Sequence, residues 1–586
     1  MTNPPQKPTA VRYGVLAFAC VLSMITYLDR VCFGTIAPFV KSEFGLDDLE
    51  VGLLFGAFTL AYATFEVPTG WLGDVFGPRK TLIRIVVWWS FFTALTGLIA
   101  PAWFPDWMPT HFWIPLLGTL SIACIAMMLV RFMFGIGEAG AYPNIARAFH
   151  SWFPYQERGF AKGSVWCAGR LAGGITPFIV LVLLYETPSE ADASAIVSAQ
   201  RDADGIVTVV TKTPHKISSG DSISIVKTSG GPGKFDGNYI VTVTGENTFN
   251  VASPGGAGAA TTHGRWITTH WRHIFWIFGV IGIVWCILFW FWFSDRPEES
   301  PMVNAAELAL IKGDAVTPPP TPGSEAGTGI QAGEPKIVPV AAPTEPKADE
   351  PVRVPWGKLL GSPNLWLLCM MYFCAAYGWY FNITYLPGYL QTQFGLTRGD
   401  KWTGQWWEFS IMAGLPLLLG SAACLIGGFM TDLFIKQTGN RKWGRRLFGV
   451  LGHGVCAICY FLSIGADSPW SFVLFVAFAA FWNDITMGAA WASCIDIGKR
   501  YSGIVSGCMN TIGNLGGFVA NILTGYVLRY YIGDVTQAAD PEAYAAKSHD
   551  AWFVNFLIFG GVYVVAVFLW LGFDATKPVD PDDKGQ

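Results

Sequence analysis

Met24–Phe39 reads MITYLDRVCFGTIAPF, an acid and a base side by side within an apolar run that begins near Val11 and continues through Val40. A helix needs about 20 apolar residues to cross a bilayer, and this run is long enough. Asp29 and Arg30 at its midpoint are too costly to place among lipid tails. They are expected only where the helix faces a protein interior or a water-filled path. The stretch therefore predicts a membrane helix on the wall of a transport pathway.

The remainder of the chain has the same character. Its 586 residues are 52% hydrophobic, 15% aromatic and only 14% charged, too apolar for an ordinary soluble domain. Runs of about 18 or more apolar residues fall near 12–36, 50–72, 81–101, 113–138, 160–185, 273–294, 363–391, 407–431, 446–466, 470–493, 502–530 and 551–574. The expected class is an all-α polytopic membrane protein of twelve transmembrane helices. A net charge of −4 gives no reason to expect nucleic acid. The 12 cysteines sit in or beside the apolar runs, Cys456 and Cys459 at CxxC spacing inside the ninth, and read as packing residues, so no metal is expected. No short apolar core followed by a small-residue cleavage site occurs at the start, so the first span is expected to remain as a membrane helix.

Lys and Arg in short loops set orientation. Arg79, Lys80 and Arg84 follow the second span, Arg147, Arg158 and Lys162 follow the fourth, and Lys436, Arg441, Lys442, Arg445 and Arg446 follow the eighth. Of the alternate loops, the first holds Lys41 and the third and ninth hold no base. Both termini are expected in the cytoplasm, with the protein a multi-pass resident of the inner (plasma) membrane.

Two polar segments interrupt the helices. Residues 186–270 contain GIVTVV, DSISIV and NYIVTVTG between Gly, Asp and Asn turns, which predicts a small β-rich domain outside the cytoplasm. Residues 295–358, with PPPTPG and many Ala, Glu and Lys, predict a disordered cytoplasmic linker. The chain divides into 1–185 with helices 1–5, the insert 186–270, helix 6 at 271–294, the linker 295–358, and 359–586 with helices 7–12. The two halves echo one another. Gly159, Gly163, Gly169 and Gly173 recur with identical spacing as Gly503, Gly507, Gly513 and Gly517, and Gly70–Asp74 with Arg79–Lys80 is echoed by Gly428–Asp432 with Arg445–Arg446. Small residues at such spacing let membrane helices approach closely. Parallel repeats of six spans are a transporter plan with the substrate site near the midplane.

GWLGDVFGPRK at 70–80 resembles the cytoplasmic loop signature of the major facilitator superfamily, with Val75 where that family commonly has a basic residue. ITYLDR at 25–30, RFMFGIGEAGAYPN at 131–144, GRLAGG at 169–174, WRHIFWIFG at 271–279 and SGCMNTIGNLGG at 506–517 resemble its anion:cation symporter branch, whose members import sugar acids and other organic anions with protons. The resemblance covers both helical halves and not the β insert. It implies proton sites at Asp29 and Glu138, and basic residues at Arg30 and Arg131 that bind or couple the anion.

The residues themselves give this a physical basis. Arg131 and Glu138 lie seven apart on the fourth span, hence on one helix face. Inside a membrane a carboxyl group holds its proton more tightly, and a guanidinium beside it opposes this. An arriving anion competes for the guanidinium, so anion and proton favour each other. The alternative is a static ion pair between the first and fourth helices. Arg170 is a further intramembrane cation, suited to a carboxylate by its forked donors, or else paired with an acid or reaching the cytoplasmic face. Tyr27 in YLDR, together with Tyr377, Tyr380, Asn382 and Tyr385 in the seventh span, offers groups for a polyhydroxylated substrate, or else an aromatic packing seam. Pro387 is placed to bend that span. Asn483 resembles a substrate-contacting amide of related carriers, and Asp484 is an extra titrating site or a base's partner. Asn510 and Asn514 are expected to bond helices together. Asp74, Arg79 and Asp432 are expected to latch the conformational switch.

No Walker-type loop, Ser/His/Asp arrangement or His-rich metal set is present, so no enzyme and no cofactor beyond a coupling ion, taken as a proton, is expected. The expected partners are a small organic anion and the bilayer, with the protein a monomer. A hexuronate, aldonate or aldarate is the first substrate expectation. A different carboxylate, sodium coupling, efflux and a non-transporting sensor stay open.

Overall fold

A computed structural model describes residues 7–580 except 101–102, 104–109, 116, 155–156, 185–194, 216, 218, 220–221, 227–234, 236, 253–259, 262–263, 269, 313–354, 395, 397–405, 534 and 536–540. The first lobe holds α1 (Val11–Phe44), α2 (Asp48–Phe76), α3 (Pro78–Thr96), α4 (Ile122–Glu138), α5 (Ala141–Trp152), α6 (Arg158–Leu184) and α7 (Trp271–Trp292). After α8 (Ala305–Lys312) and α9 (Trp356–Leu360), the second lobe holds α10 (Pro363–Thr384), α11 (Leu386–Phe394), α12 (Trp406–Thr438), α13 (Arg441–Ser463), α14 (Pro469–Gly498), α15 (Ser502–Ile532) and α16 (Pro541–Gly572).

Among the described residues, 10 helices are long and apolar enough to span a membrane, with α4 and α5 joining as one across their break. That break comes at Gly140, whose φ of 85° is left-handed and open to glycine without strain. The expected third and seventh spans form as α3 and α10 but fall short of that measure. Basic Arg79, Lys80 and Arg84 dilute α3, and Tyr372, Tyr377, Trp379, Tyr380 and Asn382 dilute α10.

The expected span 113–138 needs correction. His111–Ile114 (β1) and Gly118–Ser121 (β2) pair as an antiparallel hairpin, turning at Gly118, and the helix begins only at Ile122. Ser121 starts it by accepting from the Cys124 amide at 3.2 Å. The linker needs correction as well. Pro297–Glu299 forms a 3₁₀ turn, α8 lies within the expected disordered stretch, and α9 begins in it and runs past its end. Residues 313–354 of that expectation lie outside the described residues.

Between α6 and α7 stand β3 (Ile196–Arg201), β4 (Ile206–Thr211), β5 (Ser222–Val226), β6 (Gly237–Gly245), β7 (Thr248–Ala252), β8 (Ala260–Thr261) and β9 (Arg265–Thr268). They form one antiparallel sheet in the order β8-β3-β4-β7-β6-β5-β9. Alternation buries Val207, Val209, Phe249 and Val251 on one face with Phe235 and Trp266.

Within the lobes, α1 packs on α6, α2 on α4, α10 on α15 and α12 on α14. The repeated glycines explain the matching pairs α1–α6 and α10–α15. Gly169 and Gly173 receive Tyr27, while Gly513 and Gly517 receive Tyr372 and Tyr380. Between the lobes, α2 meets α15 and α6 meets α12. Near the sheet these seams run backbone to backbone. A Cβ at Gly52 would lie 2.7 Å from the Asn521 carbonyl oxygen, and one at Gly174 would lie 3.1 Å from that of Gly414. Arg529 Nη1 and Asp47 Oδ2, 3.2 Å apart, add an ion pair there. Toward the other end contact is looser and through side chains, as Gly163 with Leu425 and Gly507 with Val67 illustrate.

The α8 segment ties down the start of α1. Glu307 is fully buried and accepts from Thr9 Oγ1 at 2.5 Å, the amides of Val11 at 2.9 Å and Arg12 at 3.1 Å, and Arg12 Nη1 at 3.2 Å. Its carboxylate thus occupies the positive end of the helix. Burial pushes this carboxyl up, but the bonds from Thr9, Val11 and Arg12 outweigh it and hold the group below the usual carboxylate value. A lowered folded-state value contributes stability at neutral pH that is lost as pH falls through it. Glu307→Ala should cost about 1–3 kcal/mol, read as a lower melting temperature at pH 7, and the difference from the native chain should shrink below about pH 4. An equal difference at both pH values would contradict this.

Candidate functional site

The space between the lobes is walled by α1, α2, α5 and α6 on one side and α10, α14 and α15 on the other. Arg30 and Arg170 reach it from the first lobe. Tyr27, Tyr62, Tyr142, Tyr372 and Tyr380 line it, with Asn483, Asn510 and Asn514 supplying amides. Trp166, stacked on Tyr142 at 4.5 Å, and Trp379 add flat apolar faces. Polar groups set among aromatic rings suit a small, hydroxylated, charged ligand.

Arg30 joins this wall to the interior of its lobe. Its Nε donates to Glu138 Oε1 at 2.7 Å, linking α1 to α4, and its guanidinium lies 4.7 Å from the Tyr62 ring centre. Among the described residues, Arg30 Nη2 and Glu138 Oε2 have no hydrogen-bond partner. Glu138 is the last residue of α4, placed by the chain break at Gly140. Asp29, one residue along α1, is 3% exposed and neither carboxylate oxygen is hydrogen-bonded among the described residues. Arg131 sits among Phe33, Phe58 and Phe134, its Cζ 4.2, 5.3 and 4.9 Å from their ring centres. Arginine stacks on aromatic faces when carboxylates do not hold it. The four ionisable residues are thus close but unequal: Arg30 fronts the cavity and Glu138 backs it.

Two further polar pairs cross between lobes. Arg170 Nη2 donates to Asp484 Oδ1 at 2.7 Å, from α6 to α14. Asn510 of α15 donates to Glu66 of α2 through Nδ2. Glu66 was not singled out from the sequence, although an acid within the 50–72 run was a signal on the same grounds as Asp29. Asn510 and Asn514, expected only to bond helices together, also line the cavity. Asn514 accepts from Tyr380 Oη at 2.9 Å.

The other expected contacts scatter. Tyr27, Tyr380 and Asn483 line the cavity. Asn483 accepts from Tyr563 Oη at 3.2 Å. Tyr377 packs on Phe559, Tyr385 Oη donates to the Asn521 carbonyl at 2.8 Å, and Asn382 is buried, all three outside the cavity lining. Of the expected latch, Asp74 lies on α2, but its side chain is outside the described residues. The Arg79 guanidinium donates to the Trp290 carbonyl and its amide to Asp295 Oδ1 at 2.8 Å. Asp432 is bridged by Arg445, whose Nε bonds Asp496 at 2.9 Å and whose Nη1 is 3.5 Å from Asp432.

Two helical lobes around a central cavity that two arginines front are the plan of a membrane transporter. The Major Facilitator Superfamily model matches residues 19–189 and 246–521, most of the chain, and the protein belongs to that family. Its gap, 190–245, contains β3 to β6. A probable sulfoacetate transporter of Cupriavidus necator is 26% identical over 522 residues, covering 88% of this chain and 87% of that protein. A probable galactarate/D-glucarate transporter of Escherichia coli K12 is 24% identical, covering 89% and 88%. The D-galactonate transporter of Escherichia coli O6:H1 is 21% identical, covering 90% and 91%. Among solved structures, an inward-facing, occupied bacterial homologue of the human lysosomal transporter Spinster superposes with a TM-score of 0.59 at 15% identity, covering 97% of each chain. A D-xylose–proton symporter gives 0.54 at 12%, covering 98% and 99%. The chain is a membrane transporter and not an enzyme.

Proposed function

We propose that this protein imports an organic anion, a sugar acid or similar compound, together with protons, by alternating access across the plasma membrane. The observation that carries this is Arg30, a residue of the cavity wall whose buried Nη2 has no partner among the described residues while its Nε holds Glu138. An anion that draws Arg30 away leaves Glu138 needing a proton. Asp29, bonded to nothing among the described residues, can take up or release one without breaking an ion pair. Arg131, in its aromatic cage, supplies the balancing positive charge. Proton and anion therefore load together, and their loss on the far side resets the pair.

In this reading α3 and α10 complete twelve spans in two bundles of six, and the strand domain faces outward. Both termini, α8 and α9 are cytoplasmic, in keeping with the basic loops. The backbone seams near the sheet close the outer end, and the side-chain contacts at the other end part to release substrate. The protein acts as a monomer, each chain enclosing its own cavity. Relatives named for galactarate, glucarate, galactonate and sulfoacetate support a small acidic substrate.

The test is uptake of labelled acids of these four kinds into liposomes carrying the purified protein. Accumulation driven by an inward proton gradient and abolished by a protonophore is expected. Binding without accumulation would identify a sensor, and accumulation that follows a sodium gradient alone would overturn proton coupling.

A further inference from the structure

Resting on that reading, the Arg170–Asp484 pair narrows the substrate class. Both side chains are almost wholly buried, at 3% and 1% exposure, and they belong to different lobes. An arginine and a carboxylate normally pair through two parallel bonds. Here a single contact is made, and Arg170 Nε and Nη1 and Asp484 Oδ2 have no partner among the described residues. The guanidinium lies 4.6 Å from the Trp379 ring centre, on the cavity wall. Trp379 meets Tyr27 edge-on at 6.1 Å, and Tyr27 lies 5.9 Å from the Arg30 guanidinium. Two incompletely bonded arginines of one lobe therefore front one cavity, with two aromatic rings between them. The tyrosine hydroxyls and asparagine amides stand around that gap.

We propose that the cavity takes a dianion with acidic groups at its two ends, one on Arg30 and the other on Arg170 in place of Asp484. A second acidic group with two oxygens fills the fork that Asp484 leaves half empty. Its arrival breaks the ion pair between α6 and α14, so a diacid frees the lobes at that point. A monoacid engages Arg30 and leaves the pair intact.

The experiment titrates purified full-length protein, followed by tryptophan fluorescence, with two matched pairs: galactarate against galactonate, and sulfoacetate against acetate. One diacid should bind about 10- to 100-fold tighter than its monoacid partner, the effect of a charged hydrogen-bond pair. Arg170→Gln should bring that ratio near one, whatever its effect on monoacid affinity. Asp484→Asn, which removes the competitor, should strengthen diacid binding. Melting temperatures identify a misfolded variant, and Arg170→Lys, charged but without the fork, should lower the ratio on its own. Equal affinity for both members of each pair, with Arg30→Gln abolishing all binding, would overturn the dianion proposal and leave anion transport standing. Failure of every acid to bind would overturn the anion-transport reading itself, and this proposal with it.

Discussion

Glu138→Gln should reduce proton-driven accumulation to the level of empty liposomes while leaving exchange of internal for external anion intact. Glutamine keeps the shape and one acceptor for Arg30 Nε, now 2.7 Å from the carboxylate, but it cannot bind or release a proton. Breaking a buried ion pair by removing a partner costs about 3–5 kcal/mol. With the amide retained, the cost falls toward the lower end, so a folded protein with a lower melting temperature is expected. The loss of accumulation should be at least about 100-fold, equivalent to 2.7 kcal/mol or more. Exchange carries no net proton and should persist. Asp29→Asn should lose accumulation as fully with less effect on stability, because no hydrogen bond to either oxygen is removed among the described residues. A static ion pair predicts the same lower melting temperature for Glu138→Gln, but with gradient-driven uptake unchanged.

Gly414→Val should abolish uptake through geometry alone. A Cβ at position 414 would press on the backbone of Gly174, and neither helix can yield locally without losing its own hydrogen bonds. Overpacking of this kind costs about 1–3 kcal/mol, enough to hold the lobes apart at the sheet end. Gly159→Ala is the control. A Cβ there meets open space within 4 Å, and uptake should stay within about two-fold of the native rate, a change worth less than 0.5 kcal/mol. Normal transport by Gly414→Val would mean that closure at this seam is not part of the cycle.

How much of this was legible depended on the range over which each signal acts. Crossing a bilayer imposes a long apolar run, so most of the spans could be read directly from hydropathy. The hairpin at 111–121 was absorbed into an apolar run because a short apolar strand and the start of a helix share one composition. Ser121, a good N-cap just before Ile122, marked the true boundary. The strands from Ile206, Ser222 and Gly237 follow alternation, a period-two signal that needs only a few residues. Glu307 was hidden in a compositionally disordered stretch, since its partners lie 295 to 298 residues away.

The site divides along the same line. Asp29, Arg30, Arg131, Glu138 and Arg170 announce themselves because charge inside an apolar run is expensive. Their partners do not follow from spacing. Arg131 and Glu138 share a helix face, yet the ion pair is made by Arg30, 108 positions from Glu138, while Arg131 turns to phenylalanines. Arg170 meets Asp484 across 314 positions and two lobes. The seventh span offered several hydroxyl-bearing residues, and only the helix phase decided that Tyr372 and Tyr380 face the cavity while Tyr377 faces Phe559.

The central claim is that anion and proton cross together. It is tested most directly by a pH-sensitive dye sealed inside liposomes carrying this protein, with the salt of an acid that binds it added outside at matched pH, so that no proton gradient is imposed. The lumen should acidify as the anion enters, at a rate that rises with anion concentration, and Glu138→Gln should abolish the signal. Entry of labelled anion with no change in lumenal pH would contradict the account.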